Sequence, residues 1–110
     1  MTEKSQFTLR SLLEKEKLKS DGFNFIDWHR NVRIVLRQES KDKVLITPSA
    51  VEPTGSTVTQ KDRDDYAARS SMELQVQGLL LSSMESELQK RFEYELPYDI
   101  MLQLKKMFQE

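Results

Sequence analysis

Gly22 to Glu39, GFNFIDWHRNVRIVLRQE, holds the only Trp of the chain, two of its five Phe and its clearest helical period. Phe25, Trp28, Val32, Val35 and Leu36 recur at three- and four-residue steps and share one face. Arg30, Arg33 and Arg37 fall on another. The spacing predicts an amphipathic helix of about four turns. Asn24 is its expected N-cap, and Asp27 places negative charge in the first turn, where it suits the helix dipole. Burial of a large apolar side chain contributes roughly 1.5–3 kcal/mol, so the Trp28 face is expected to dominate the local energetics.

Outward from this helix the signals are shorter. Residues 1–7 are polar and expected to be disordered. Thr8 can cap a short helix to about Lys15 with Leu9, Leu12 and Leu13 as its apolar patch, and Ser20-Asp21-Gly22 marks a turn. The organising helix is expected to end near Ser40. Val44, Leu45 and Ile46 fit one helical turn or an extended segment equally well. Residues 47–59, with Pro48, Pro53 and Gly55 among Ser and Thr, read as an exposed loop.

Thr59 with Asp62 forms a capping box that opens a long helix to about Leu81. Tyr66, Ala67, Ser70, Leu74, Gly78 and Leu81 make its expected inward stripe, and Val76, Leu79 and Leu80 widen it. Small residues, Gly78 among them, suggest close approach by another helix. Ser82 with Glu85 resembles a second box opening a helix to about Phe92, with Leu88 and Phe92 inward. Pro97 suits the first position of a last helix, in which Tyr98, Met101, Leu102, Leu104 and Phe108 are the core candidates. No Gly or Pro stop signal precedes Glu110, so the polypeptide is expected to continue. No stretch alternates long enough for a sheet. The class is all-α, a small bundle of about five helices, with residues 8–110 as one domain.

Composition limits function more than it assigns it. The chain has 110 residues, 37% apolar and 32% charged, with a net charge of -1, so no global field selects nucleic acid or a membrane. Residues 1–46 carry +3 and the remainder -4, a polarity able to orient subunits head to tail. Without cysteine there is no disulfide and no thiolate metal site. The start lacks a signal-peptide core and no apolar run reaches the roughly 20 residues that span a bilayer, so a soluble intracellular protein is expected.

Reactive groups do not converge in the sequence. His29 follows Asp27 and Trp28, but neighbouring residues point about 100° apart on a helix, so a solvent-facing or capping histidine is expected, not a dyad. Asp62, Asp64 and Asp65 lack the glycine and terminal Glu of a calcium loop and are explained by the helix N-terminus. Gly22, Gly55 and Gly78 are too far apart to cradle a phosphate. No catalytic residue, metal ligand or cofactor-binding residue is therefore assigned. Arg30, Arg33 and Arg37, with Lys41 and Lys43 nearby, are the candidates for RNA contact. A solvated face, or salt bridges to the acidic second half, is the favoured reading of the same residues.

Three runs, LRSLLEKEKL at 9–18, the organising stretch at 22–39 and KVLITP at 43–48, together resemble the N-terminal capsid region of the Gag polyprotein of plant copia-type LTR retrotransposons. The family's Asn-aromatic-x-x-Trp signature is matched by Asn24, Phe25 and Trp28. An acid-capped helix with an aromatic (Asp65, Tyr66), a segment like LLSSMESELQKRFE at 80–93 and a Pro-aromatic-Asp start (Pro97, Tyr98, Asp99) follow in order. Residues 19–23 are longer than the family's short turn, and the zinc knuckle found downstream in the family is not within these residues. The resemblance implies a non-enzymatic capsid-like domain that self-associates into virus-like particles packaging element RNA. It implies a cytoplasmic location, a homo-oligomeric partner, RNA contact that is secondary here, and no small-molecule substrate. A nucleic-acid-binding helical module, or a host adaptor domesticated from Gag, is the alternative.

Overall fold

In the computed structural model, which describes Ser11, Leu13 and residues 15–109, the chain is an all-α bundle. Five helices whose bounds lie among the described residues follow in order: α1 (Phe25–Gln38), α2 (Lys43–Ile46), α3 (Gln60–Ser82), α4 (Ser86–Phe92) and α5 (Pro97–Phe108). Ser11, Leu13 and Lys15 are also helical, while Thr8, Leu9 and Leu12 lie outside the described residues. Val44–Leu45–Ile46 takes the helical alternative. Among the described residues the extended pairing is an isolated parallel bridge between Leu18 and Met84.

The predicted face of α1 is the centre of the core. Phe25, Trp28, Val32, Val35 and Leu36 are all buried, with Leu13, Leu18, Val44, Val76, Leu79, Leu80, Met84, Leu88, Phe92, Ile100, Met101 and Leu104 around them. The indole N–H of Trp28 donates to the Ser83 carbonyl at 3.0 Å and to Ser83 Oγ at 3.1 Å. That carbonyl also accepts from Leu18 N–H at 2.8 Å, and Glu85 N–H donates to the Leu18 carbonyl at 3.0 Å. The buried hydroxyl of Ser83 donates in turn to the Leu80 carbonyl. One buried peptide group therefore ties α1, the segment before it and the α3–α4 junction together without leaving the indole proton unpaired.

The end of α1 is a Schellman turn: Lys41 N–H reaches the Leu36 carbonyl and Ser40 N–H the Arg37 carbonyl, with Ser40 left-handed at φ 59°. At the other end Asn24 occupies the N-cap, but its side chain does not cap. Its Oδ1 accepts from Lys19 N–H and its Nδ2 donates to the Lys17 carbonyl, both at 2.9 Å, so it braces the incoming strand-like segment instead.

In α3 the Thr59–Asp62 capping box forms as the sequence predicts. The inward stripe, however, lies elsewhere. Glu73, Val76, Leu79 and Leu80 are buried, Leu74 is 60% exposed, and Tyr66 and Leu81 are only half-buried. Ala67, Ala68 and Gly78 are exposed, and a Cβ added at Gly78 would meet nothing within 4 Å, so no helix approaches there.

The reason is a polar contact invisible to hydrophobic periodicity. Glu73 Oε2 accepts from Arg69 Nε at 2.9 Å and from Ala50 N–H at 3.0 Å. Arg69 Nη2 donates to the Thr47 carbonyl and hydroxyl and to the Pro48 carbonyl. The pair turns the first half of α3 toward the 47–50 backbone and rotates Leu74, one position on, away from the core. The rest of 47–59 forms neither helix nor strand, and Val51 within it is 86% exposed.

The second predicted capping box does not form. α3 continues through Ser82, and α4 begins one residue after Glu85, whose carboxylate accepts from Ser20 N–H at 2.9 Å and Ser20 Oγ at 3.1 Å. Leu88 and Phe92 are buried as expected. In α5, Pro97 takes the first turn, and Ile100, Met101 and Leu104 are buried. Tyr98 is half-buried and Leu102 is 42% exposed, because α5 packs on α2 and α3 through the 97–100–101–104 face and Leu102 projects from its flank.

Candidate functional site

The arginine stripe of α1 does not act as one unit. Arg30 forms an ion pair with Asp27 on its own helix. Arg33 and Arg37 instead line a cavity of about 360 Å³ together with His29, Asp42, Leu45, Ile46, Met101 and Lys105. α1 supplies His29, Arg33 and Arg37 at four-residue steps, the α1–α2 turn supplies Asp42, and α5 supplies Lys105. Among the described residues Arg33, Arg37 and Lys105 have no carboxylate within ion-pair distance, and Arg30, Arg33 and Arg37 are exposed, so of the two expectations for this stripe the solvated face holds and salt bridges to the acidic second half are not made.

His29 is half-buried, not solvent-facing or capping: its ring stacks on Phe25 with centroids 5.4 Å apart and planes 7° from parallel. Burial, and then the positive charges of Arg33 and Lys105, lower its pKa to about 4, so the imidazole is neutral at pH 7. Hydrogen bonds from the Ser20 backbone and hydroxyl, against a smaller opposing effect of burial, hold the Glu85 carboxyl below its ordinary value.

Both shifts act on stability in the same direction. An unfolded imidazole titrates near 6.5, so between that value and about 4 the unfolded chain binds the extra proton and acid favours unfolding. The Glu85 contribution is present above the unfolded carboxylate pKa and is lost as pH falls through its depressed folded value. The melting temperature is therefore expected to fall as pH drops from 6.5 toward 4, and His29→Gln is expected to flatten the upper part of that fall. A wild-type and variant difference that does not change with pH contradicts this placement of His29.

Among the described residues no group of three His, Asp or Glu side chains is arranged to hold a metal ion, and no helix is long and apolar enough to cross a membrane. The cavity has a single imidazole, lined on its charged side by Arg33, Arg37, Lys105 and Asp42, and no Ser, Thr or Cys is among its lining residues. What it can do chemically is attract negative charge. Arg33 and Arg37 were legible from helical spacing, whereas Lys105 is about seventy positions away and only packing of α5 beside α1 brings it in. Comparison with models of known protein families, with characterised proteins and with solved structures finds no match.

Proposed function

We propose that this chain is a structural, non-enzymatic domain of the Gag capsid type that self-associates. The support from sequence is the ordered motif series. In the fold, its most specific segments are the ones that hold one another: Trp28 of the signature bonds Ser83 of the LLSSMESEL segment, and Leu18 of the first run bonds the same carbonyl.

The observation that carries self-association is a set of exposed apolar side chains next to the contact between α5 and α1. Phe108 sits on Gly22 and contacts Phe25 with ring centroids 5.9 Å apart, which sets the end of α5 beside the start of α1. Within one turn of that contact, Phe23 is 84% exposed, Ile26 61% and Met107 36%. Grouped exposed side chains of this size are characteristic of an association surface. RNA packaging is then a property of the assembled shell, with direct contact by this domain secondary, since Arg30 is paired within its own helix.

Sedimentation and electron microscopy across a concentration series test the proposal. The wild-type chain is expected to associate, and Phe23→Ser/Ile26→Ser to remain folded and shift toward monomer. A wild-type protein that stays monomeric at every concentration contradicts it.

A further inference from the structure

The cavity between α1, α2 and α5 holds more positive charge than the fold uses. Arg33, Arg37 and Lys105 converge on it from two helices, and Asp42 is the one carboxylate in its lining, which leaves two positive charges in excess with His29 neutral. None of the three cations has an ion-pair partner among the described residues. The rest of the lining is Leu45, Ile46 and Met101, which gives the cavity an apolar side against which field lines are focused. Arg33, Arg37 and Lys105 are exposed to solvent at its rim, and an anion placed among them is attracted by all three.

We infer that this cavity is a binding site for a compact polyphosphate anion, gripped by Arg33, Arg37 and Lys105 with His29 beside it. Its volume of about 360 Å³ lies at the small end of the range for small-molecule sites. Three observations favour a compact anion over a nucleic-acid strand. Lys105 of α5 joins Arg33 and Arg37 of α1 in lining one cavity; Arg30, which would extend the row along α1, is held by Asp27; and no Phe, Tyr or Trp lines the cavity to stack a base. Arg33 and Arg37 offer planar forks suited to two phosphate oxygens each, and Lys105 adds a point charge from a second helix. This site is independent of the self-association surface at Phe23 and Ile26.

His29 supplies a reporter inside the site. Its pKa is low partly because Arg33 and Lys105 are close, so an anion that neutralises them must raise it. The experiment titrates sodium tripolyphosphate into the chain at constant ionic strength while the His29 ring resonances are followed by NMR across pH, with melting temperature as a second readout. Saturable binding is expected, with the His29 pKa moved up by about one unit or more and the melting temperature raised.

Arg33→Gln/Lys105→Gln is expected to weaken binding at least about tenfold, one unit cost of a lost charge-assisted contact, and Arg30→Gln to leave it unchanged. Arg37→Gln alone carries the same expectation of weaker binding should the double variant fail to fold. Sodium chloride reproducing the shifts at equal ionic strength, or equal weakening by Arg30→Gln, overturns the assignment. So does a single-stranded oligouridylate that binds through these residues when tripolyphosphate does not, because the cavity then belongs to a nucleic-acid track.

Discussion

Trp28→Ala is expected to lower the free energy of unfolding by about 3–5 kcal/mol, the usual cost of truncating a large aromatic in a packed core. Trp28 is 1% exposed and lies among Phe25, Val32 and the α3–α4 junction, where little can collapse into the space. The variant also loses the indole donor to Ser83, although neither Ser83 atom is thereby orphaned. Its carbonyl keeps Leu18 N–H as a partner, and its hydroxyl still donates to the Leu80 carbonyl. Trp28→Phe separates the two effects. It retains most of the ring and is expected to cost about 2 kcal/mol, the sum of one net hydrogen bond and a small cavity. Urea unfolding followed by circular dichroism measures both, and a loss under about 1 kcal/mol for Trp28→Ala contradicts the placement of the core.

Gly22→Ala carries the second large effect, and it acts through two separate penalties. Gly22 has φ +73°, a left-handed conformation that costs an L-residue roughly 1–2 kcal/mol. Its added Cβ would also fall 2.1 Å from Phe108 Cδ1, far inside van der Waals contact. The ring must swing away, and with it goes the Phe25–Phe108 contact that closes α5 onto α1. Together these are expected to cost about 2–4 kcal/mol. The test is a double-mutant cycle with Phe108→Ala. Removing the ring removes the clash but not the φ penalty, so the cost of Gly22→Ala is expected to shrink to the φ penalty of about 1–2 kcal/mol in that background. An unchanged cost in both backgrounds contradicts the contact.

The difference between what could and could not be read from the sequence follows from where apolar and polar residues lie. α1 was legible because large apolar residues occupy every inward position, 25, 28, 32, 35 and 36, and polar ones most of the positions between, Ile26 and Ile34 being the exceptions. α3 was not, since its 23 residues meet different partners along their length and its inward position at 73 is a glutamate. An apolar template then selects Leu74 in its place. In α5, Ile100, Met101, Leu102 and Leu104 give two compatible apolar registers, and only the seats of Pro97 and Phe108 decide between them. Glu85 illustrates a local motif losing to a tertiary partner: spacing from Ser82 suggested a cap, but Ser20, 65 residues away, takes the carboxylate. The cavity was half legible for the same reason. Helical spacing relates His29, Arg33 and Arg37, and no local rule brings Lys105 to them.

These parts share one premise, that the motif-bearing segments serve to hold a scaffold together and do so at the Ser83 carbonyl. Hydrogen exchange at the Trp28 indole tests it most directly, because the chain has a single tryptophan and its Nε1 proton gives one resolved signal. With that proton buried and shared between the Ser83 carbonyl and hydroxyl, its exchange is expected to require global unfolding and to slow in step with the most protected amides of α1. Exchange at the rate of a free indole in water would contradict the account.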